Sequence, residues 1–289
     1  MINKSLKKIG LISLSTIGLL TLGYKGYKNF PSKYSIYSGG TSTNSIVQSS
    51  TKPIDEKEKS NTNDSYDIEK LKNDLNNKEK DGKKIAFLTF DDGPSTTVTP
   101  EILDVLKEKN VKATFFLMGQ NVDRNDKSKS LVKEIFESGH AIGNHTYTHD
   151  MKKLYPNNKL DINVYMDEVN QCNDSIRKAI GQDFRTRVLR MPGGYMSREY
   201  YKDPNLQAFD TKIAENDMWQ IDWNAMNADA EGKKKDAAEL LENLKESVGT
   251  KEKVVILMHD TYGKEETAKA LPQIIEYLKS QGYEFKTMS

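Results

Sequence analysis

Two carboxylates stand side by side at Asp91-Asp92, after the apolar run Ile85-Ala86-Phe87-Leu88-Thr89-Phe90 and before Gly93-Pro94-Ser95. The run reads as a buried strand that Gly-Pro ends. Adjacent acids at the mouth of a strand repel each other and lose hydration, so the pair admits two readings. One is a solvated turn, because Asp and Gly favour turns. The other is a metal site in which one Asp binds a cation and its neighbour acts as a base. Downstream, His145-Thr146-Tyr147-Thr148-His149 places two imidazoles four residues apart. On a helical turn they share one face and can hold one ion; alone, such a pair is also compatible with surface or capping histidines. With a carboxylate they complete a His₂-Asp set that leaves a position for water and suits zinc, cobalt or manganese.

The totals narrow the choices. The 289 residues carry 43 Lys+Arg against 42 Asp+Glu, a net charge of +1. That balance gives no support for a nucleic-acid or polyanion partner. A single cysteine, Cys172, excludes an intrachain disulfide and a Cys-rich zinc site; it reads as a small apolar residue on a helix. Only four histidines exist, His140, His145, His149 and His259, so any imidazole chemistry must draw on them.

The elements that must position these groups begin late in the chain. Lys4, Lys7 and Lys8 precede an uncharged apolar run over 9–24. This has the shape of a signal peptide, although Thr21-Leu22-Gly23 is a poor cleavage site. Residues 1–30 are expected to be a signal peptide or signal-anchor. That puts the remainder at the extracellular face of the cytoplasmic membrane, or secreted to the cell wall. Residues 31–83 are rich in Ser, Thr, Asn, Lys, Asp and Glu and read as a low-complexity extracellular linker. Within it, Ile68, Leu71 and Leu75 give a weak helical pattern, expected to be exposed.

Residues 84–289 alternate strand-like and helix-like segments. Strands are expected over 85–90, 113–118, 141–143, 188–190, 218–222 and 254–258. Helices are expected from about 99, and over 131–137, 160–179, 236–247 and 267–280. Such alternation implies right-handed crossovers and a parallel sheet or barrel, with ligands at the carboxyl ends of the strands. Asp91-Asp92, His145, Arg190, Asp222 and His259-Asp260 all fall at such ends.

These motifs, in this order, resemble the NodB-type polysaccharide deacetylases, carbohydrate esterase family 4, over about 84–289. Thr89 to Ser95 is similar to the first motif and Gly139 to His149 to the second. Arg190-Met191-Pro192-Gly193-Gly194 resembles the third, Asp222-Trp223 the fourth and Leu257-Met258-His259-Asp260 the fifth. The resemblance implies a distorted (β/α) barrel with fewer than eight full units. It implies that Asp92, His145 and His149 bind one divalent metal ion, zinc before cobalt or manganese. The catalytic set it implies is Asp91 as general base, His259 as general acid, Arg190 pairing with Asp91, and Asp222 orienting His259. Asp217 and Asp229 compete with Asp222 for that last role. Pro192, Gly193, Trp223 and Leu257 are implied to bind substrate, with Leu257 lining a pocket for the acetyl methyl group and the Gly193 N–H facing the oxyanion. The family often carries an aromatic residue where Gly193 stands, so a groove wall is missing that Tyr195 or Tyr200 could replace. His140 is expected to pack or cap, and Asn144 to orient the site. The implied activity is N-deacetylation of an extracellular N-acetylglucosamine polymer, peptidoglycan first. The alternatives are chitin-like, exopolysaccharide or O-acetyl xylan substrates, or a barrel that binds glycans without turning them over. The partner expected is thus a glycan, with the membrane added if the leader stays uncleaved.

Overall fold

A computed structural model describes residues 64–76, 80–181 and 184–289. The expected leader and most of the expected linker lie outside these residues. Among the described residues, no helix is long and apolar enough to cross a membrane.

The core of the molecule is a curled, all-parallel sheet. After a short strand β1 (Ser65–Tyr66), it uses β2 (Ile85–Gly93), β3 (Thr114–Leu117), β4 (Ala141–Asn144), β5 (Val188–Leu189), β6 (Trp219–Gln220), β7 (Ala225–Met226) and β8 (Lys253–His259). Their spatial order is β6-β5-β4-β3-β2-β8-β7. The edge strands β6 and β7 follow one another in the chain, and no pairing among the described residues joins them. The result is the expected distorted (β/α) barrel, left open at one seam. β2 is its centre. It pairs with β8 along its length, with β3 from Thr89 to Gly93, and at its base with β9 (Glu284–Phe285).

Side-chain alternation along β2 and β8 explains the layers. Ala86, Leu88, Phe90, Val254, Ile256 and Met258 point outward into one apolar cluster with the surrounding helices. Ile85, Phe87 and Val255 point inward and pack with Phe116, Val188 and Ile221. On the same inner face, nearer the carboxyl ends, come Thr89, Asp91, Leu257 and His259. Thr89 is register partner of Leu257, and Asp91 of His259. The barrel interior is therefore apolar at its base and turns polar at its mouth.

Helices start where small polar side chains can cap them. Asn125 accepts from Ser128 N–H ahead of Asp126–Glu137, and Asp161 from Val164 N–H ahead of Ile162–Ile180. Asp236 and Glu239 form a capping box for Ala237–Val248. These boundaries lie within a few residues of those expected. The sequence pattern had not marked β7, the last strands or the helices Tyr195–Tyr200 and Leu206–Glu215, all short or weakly periodic.

One expectation about the linker needs correction. The helix Ile68–Asn76 is not exposed: Ile68 and Leu71 are fully buried, in the inner cluster with Ile85, Phe87 and Met288. β1 pairs in parallel with β10 (Thr287–Met288), so both ends of the domain meet beneath the barrel. Two apolar residues in a polar stretch carried too little periodicity to reveal this. Leu71→Ala should lower unfolding stability by roughly 2–5 kcal/mol, the usual cost of a buried Leu. Denaturant unfolding checks this, and an unchanged midpoint would contradict the packing.

Candidate metal centre and active site

The site forms where β2, β4, β5 and β8 end. Asp92, at φ 69°, turns its carboxylate toward two imidazoles. Its Oδ1 lies 3.4 Å from His145 Nε2 and 3.7 Å from His149 Nε2. Two donors each about 2.1 Å from one tetrahedral ion stand at about this separation. Asp92 Oδ1 is buried and has no hydrogen-bond donor, which a cation would remedy. His145 Nδ1 lies 2.8 Å from the Arg190 carbonyl oxygen, an arrangement that places the proton on Nδ1 and leaves the Nε2 lone pair for an ion. Burial, then His149, pushes His145 down to about 3, so it is neutral as a ligand must be. The Asp92, His145 and His149 side chains thus make a possible metal site.

The two histidines do not converge by helical periodicity, as the spacing had suggested. Residues 145–149 form a non-helical loop, with Thr146 at φ 64° and His149 at φ 57°. Asn144 holds its start, as expected of an orienting residue. Its Oδ1 accepts from Thr146 N–H, and its amide donates to the Val169 carbonyl and Asn173 Oδ1. Left-handed backbone at two non-glycine residues leaves no periodic signal in sequence.

Asp91 lies inward of Asp92 and is almost wholly buried. Arg190 is completely buried; its Nη1 donates to Asp91 Oδ1 at 2.8 Å and to Thr89 Oγ1 at 2.7 Å. Its Nε donates to the Ile221 carbonyl and its Nη2 to the Asp222 carbonyl, and the guanidinium stacks 4.1 Å from the Phe116 ring centre. Burial raises the Asp91 carboxyl above its ordinary value, against the opposing pull of Arg190. A raised, oriented carboxylate is suited to accept a proton. The sequence-expected pairing of Arg190 with Asp91 is present.

The partner of His259 differs from the one expected. His259 Nδ1 lies 2.7 Å from Asp229 Oδ1, and His259 N–H donates to Asp229 Oδ2. Thr267 Oγ1 donates to the same carboxylate and Lys264 to the Asp229 carbonyl. Asp222, expected in this role, instead accepts the backbone N–H groups of Tyr195 and Met196 at 2.8 and 2.7 Å. It braces the turn after Gly193-Gly194, not the imidazole. The rule that acids sit at the carboxyl ends of strands was sound. It favoured Asp222 over its competitor Asp229 because Asp222 ends an apolar segment, whereas β7, the strand before Asp229, is only two residues long.

Burial opposes a charge on His259, but Asp229, Asp92 and Asp91 outweigh it and raise the imidazole to about 9. With Nδ1 engaged, Nε2 is the atom that exchanges a proton. Asp260 next to it is fully buried and accepts from Thr99 Oγ1 at 2.6 Å. A Cβ on Gly93 would stand 2.3 Å from the Asp260 carboxylate, so only glycine allows this approach.

The other expected residues fall around this centre. Leu257 lies two residues before His259 on the same face of β8, Trp223 packs against Gly194, and the Pro192 carbonyl accepts from Tyr155 Oη at 3.0 Å. His140 caps and packs, accepting from Ala113 N–H and meeting Phe115 edge-on. Cys172 is buried on a helix. Tyr195 donates to Asp210, and Tyr200 is 60% exposed. The space beside Gly193 holds neither tyrosine but Met151.

The two carboxylates can be told apart by titration. Removing the Asp229 charge removes what raises His259, so in Asp229→Asn the imidazole should lose its proton at lower pH than in the parent. In Asp222→Asn it should not move. Proton NMR of the imidazole reads both; a shift with Asp222→Asn alone would reverse the assignment.

Comparisons with known proteins agree with this geometry. Residues 78–208 match the family model described as polysaccharide deacetylase. A peptidoglycan-N-acetylglucosamine deacetylase of Bacillus cereus is 36% identical over 214 residues, 71% of this chain and 69% of that one. The peptidoglycan-N-acetylglucosamine deacetylase PgdA of Listeria monocytogenes is 34% identical over 73% of this chain; the chain spans only 39% of its length. The solved structure of a Streptococcus mutans CE4 esterase superposes with TM-score 0.71 at 36% identity, covering 78% of this chain and 92% of that one. The chain belongs to the polysaccharide deacetylase family, carbohydrate esterase family 4, a family of hydrolytic deacetylases.

Proposed function

We propose that this protein is a metal-dependent N-deacetylase that hydrolyses the acetamide of N-acetylglucosamine residues in an extracellular glycan, with peptidoglycan as its substrate and zinc as its ion. One observation carries the reading: a possible three-ligand metal site, a buried Arg-held carboxylate and a carboxylate-held imidazole converge on one barrel mouth. The peptidoglycan deacetylases among its relatives support the choice of polymer. The basic and apolar start of the chain supports action outside the cytoplasmic membrane, whether anchored or secreted.

Asp92, His145 and His149 would hold the cation, which when bound acidifies a water and polarises a carbonyl. Asp91 takes the proton from the attacking water, and Arg190 fixes the orientation in which it does so. The Gly193 N–H donates to the carbonyl oxygen as negative charge builds there. An amine leaves an amide poorly unless protonated, and His259 delivers that proton from Nε2. Asp229 keeps the imidazole protonated above its ordinary pH range. Because the acid must be protonated, rate should fall as pH rises through the His259 value. Leu257 and Trp223 border the place for the acetyl methyl and sugar.

Acetate release from purified peptidoglycan and from a chitin oligomer tests the reading, with chelator and then with zinc, cobalt or manganese restored. Release from peptidoglycan should stop with chelator and return with zinc. His259→Ala should keep the metal and lose roughly two to four orders of magnitude in rate. His145→Ala should lose the metal. Release from the oligomer or from O-acetyl xylan alone would move the substrate, and chelator-resistant release would contradict the metal.

A further inference from the structure

Gly193 and Gly194 form a strip of backbone without side chains at the mouth of the barrel, both at positive φ, 76° and 79°. What surrounds the strip is specific. A Cβ on Gly193 would lie 2.9 Å from Met151 Cε and 3.7 Å from Met151 Sδ. A Cβ on Gly194 would lie 3.1 Å from Trp223 Cη2. The thioether therefore stands where a side chain at position 193 would begin, and the indole stands against position 194.

Met151 is held there. It opens the short helix Met151–Leu154, two residues beyond His149, and the Asp150 carboxylate accepts from Lys152 and Lys153 N–H to cap that helix. Tyr155, just past the helix, donates to the Pro192 carbonyl, which ties this loop to the residue before Gly193. Lys153 pairs with the buried Glu168, whose carboxylate also accepts from Thr148 N–H and Oγ1. Despite this anchoring Met151 is 38% exposed; with Tyr200 and Tyr262 it is one of three exposed large apolar side chains among the described residues. A single exposed apolar residue needs no explanation. One that is fixed two residues beyond His149 and over the bare backbone of Gly193, next to the glycine that Trp223 borders, is placed to meet something apolar.

We infer that Met151 is a specificity-determining residue: its thioether forms the groove wall that Gly193 lacks, and it packs on the apolar C–H face of the hexosamine whose acetamide enters the site. This rests on the deacetylase reading above and names what sets its substrate range. An unbranched thioether with three rotatable bonds adapts its shape as a rigid ring does not. A wall of this kind therefore accepts N-acetylhexosamine units carrying bulky substituents as well as unsubstituted ones.

The test compares the full-length zinc-loaded protein with Met151→Ala and Met151→Leu on two substrates. One is tetra-N-acetylchitotetraose, whose sugar ring reaches Met151; the other is a small aryl acetate, which reports the hydrolytic centre without reaching it. Met151→Ala should raise KM for the tetramer roughly five- to thirty-fold. Hydrolysis of the aryl acetate and zinc content should be unchanged, and Met151→Leu should restore most of the loss. Equal losses on both substrates, or none on either, would overturn the inference. A second readout does not depend on turnover. In Asp91→Asn protein labelled at methionine methyls, the Met151 signal, identified by its absence in Met151→Leu, should shift when the tetramer is added. An unmoved signal at saturating tetramer also overturns it. If the parent cleaves the aryl acetate and no glycan, the N-deacetylase reading fails separately, and the methyl signal alone decides the role of Met151.

Discussion

The buried guanidinium of Arg190 is the contact on which the site depends. A charge with no exposure is tolerated only if each of its nitrogens finds an acceptor and an opposite charge lies close. Here Asp91 supplies the charge; Thr89 and the Ile221 and Asp222 carbonyls supply the remaining acceptors. The same residue reaches further through its backbone. Its carbonyl orients His145, and its own N–H donates to the Asn144 carbonyl just ahead of the histidine loop. One residue thus joins Asp91 on β2 to His145 on the loop after β4. Losing either partner of such a pair leaves an uncompensated buried charge, at a cost of about 3–5 kcal/mol.

The sheet places the chemistry through simple alternation. Inward-facing positions on β2 and β8 pass from Phe87 and Val255 to Asp91 and His259 within two turns of the pleat. Asp91 and His259 therefore face each other as register partners on adjacent strands. The apolar base of the barrel, closed by Ile68 and Leu71, keeps water from reaching the Arg190–Asp91 pair from below.

This layout explains what could be read from sequence. Asp91, Asp92 and His259 end long apolar strands whose hydrophobic runs are unmistakable, and Arg190 precedes a Gly-rich turn. The order of those groups also carries the family. Asp229 stood only as a competitor because its strand is two residues long, and the pattern that favoured Asp222 marked a real but different brace. The geometry of His145 and His149 was right in outcome and wrong in cause, since left-handed loop backbone replaces a helical turn. The burial of the Ile68–Asn76 helix was hidden by the polar residues on its outer face. Met151 was invisible because it acts over a glycine forty-two positions away in the chain. Each miss is a tertiary contact with no local periodic signature.

The central claim is that the Arg190 guanidinium orients Asp91 as the base, while only its backbone serves the metal. Kinetics and zinc content of Arg190→Lys test this directly, because lysine keeps a charge and the carbonyl but loses the fork. The account predicts one zinc per chain and a kcat for acetate release lowered roughly ten- to hundred-fold, with KM little changed. A parental kcat would contradict it, and so would loss of zinc in a protein that still folds.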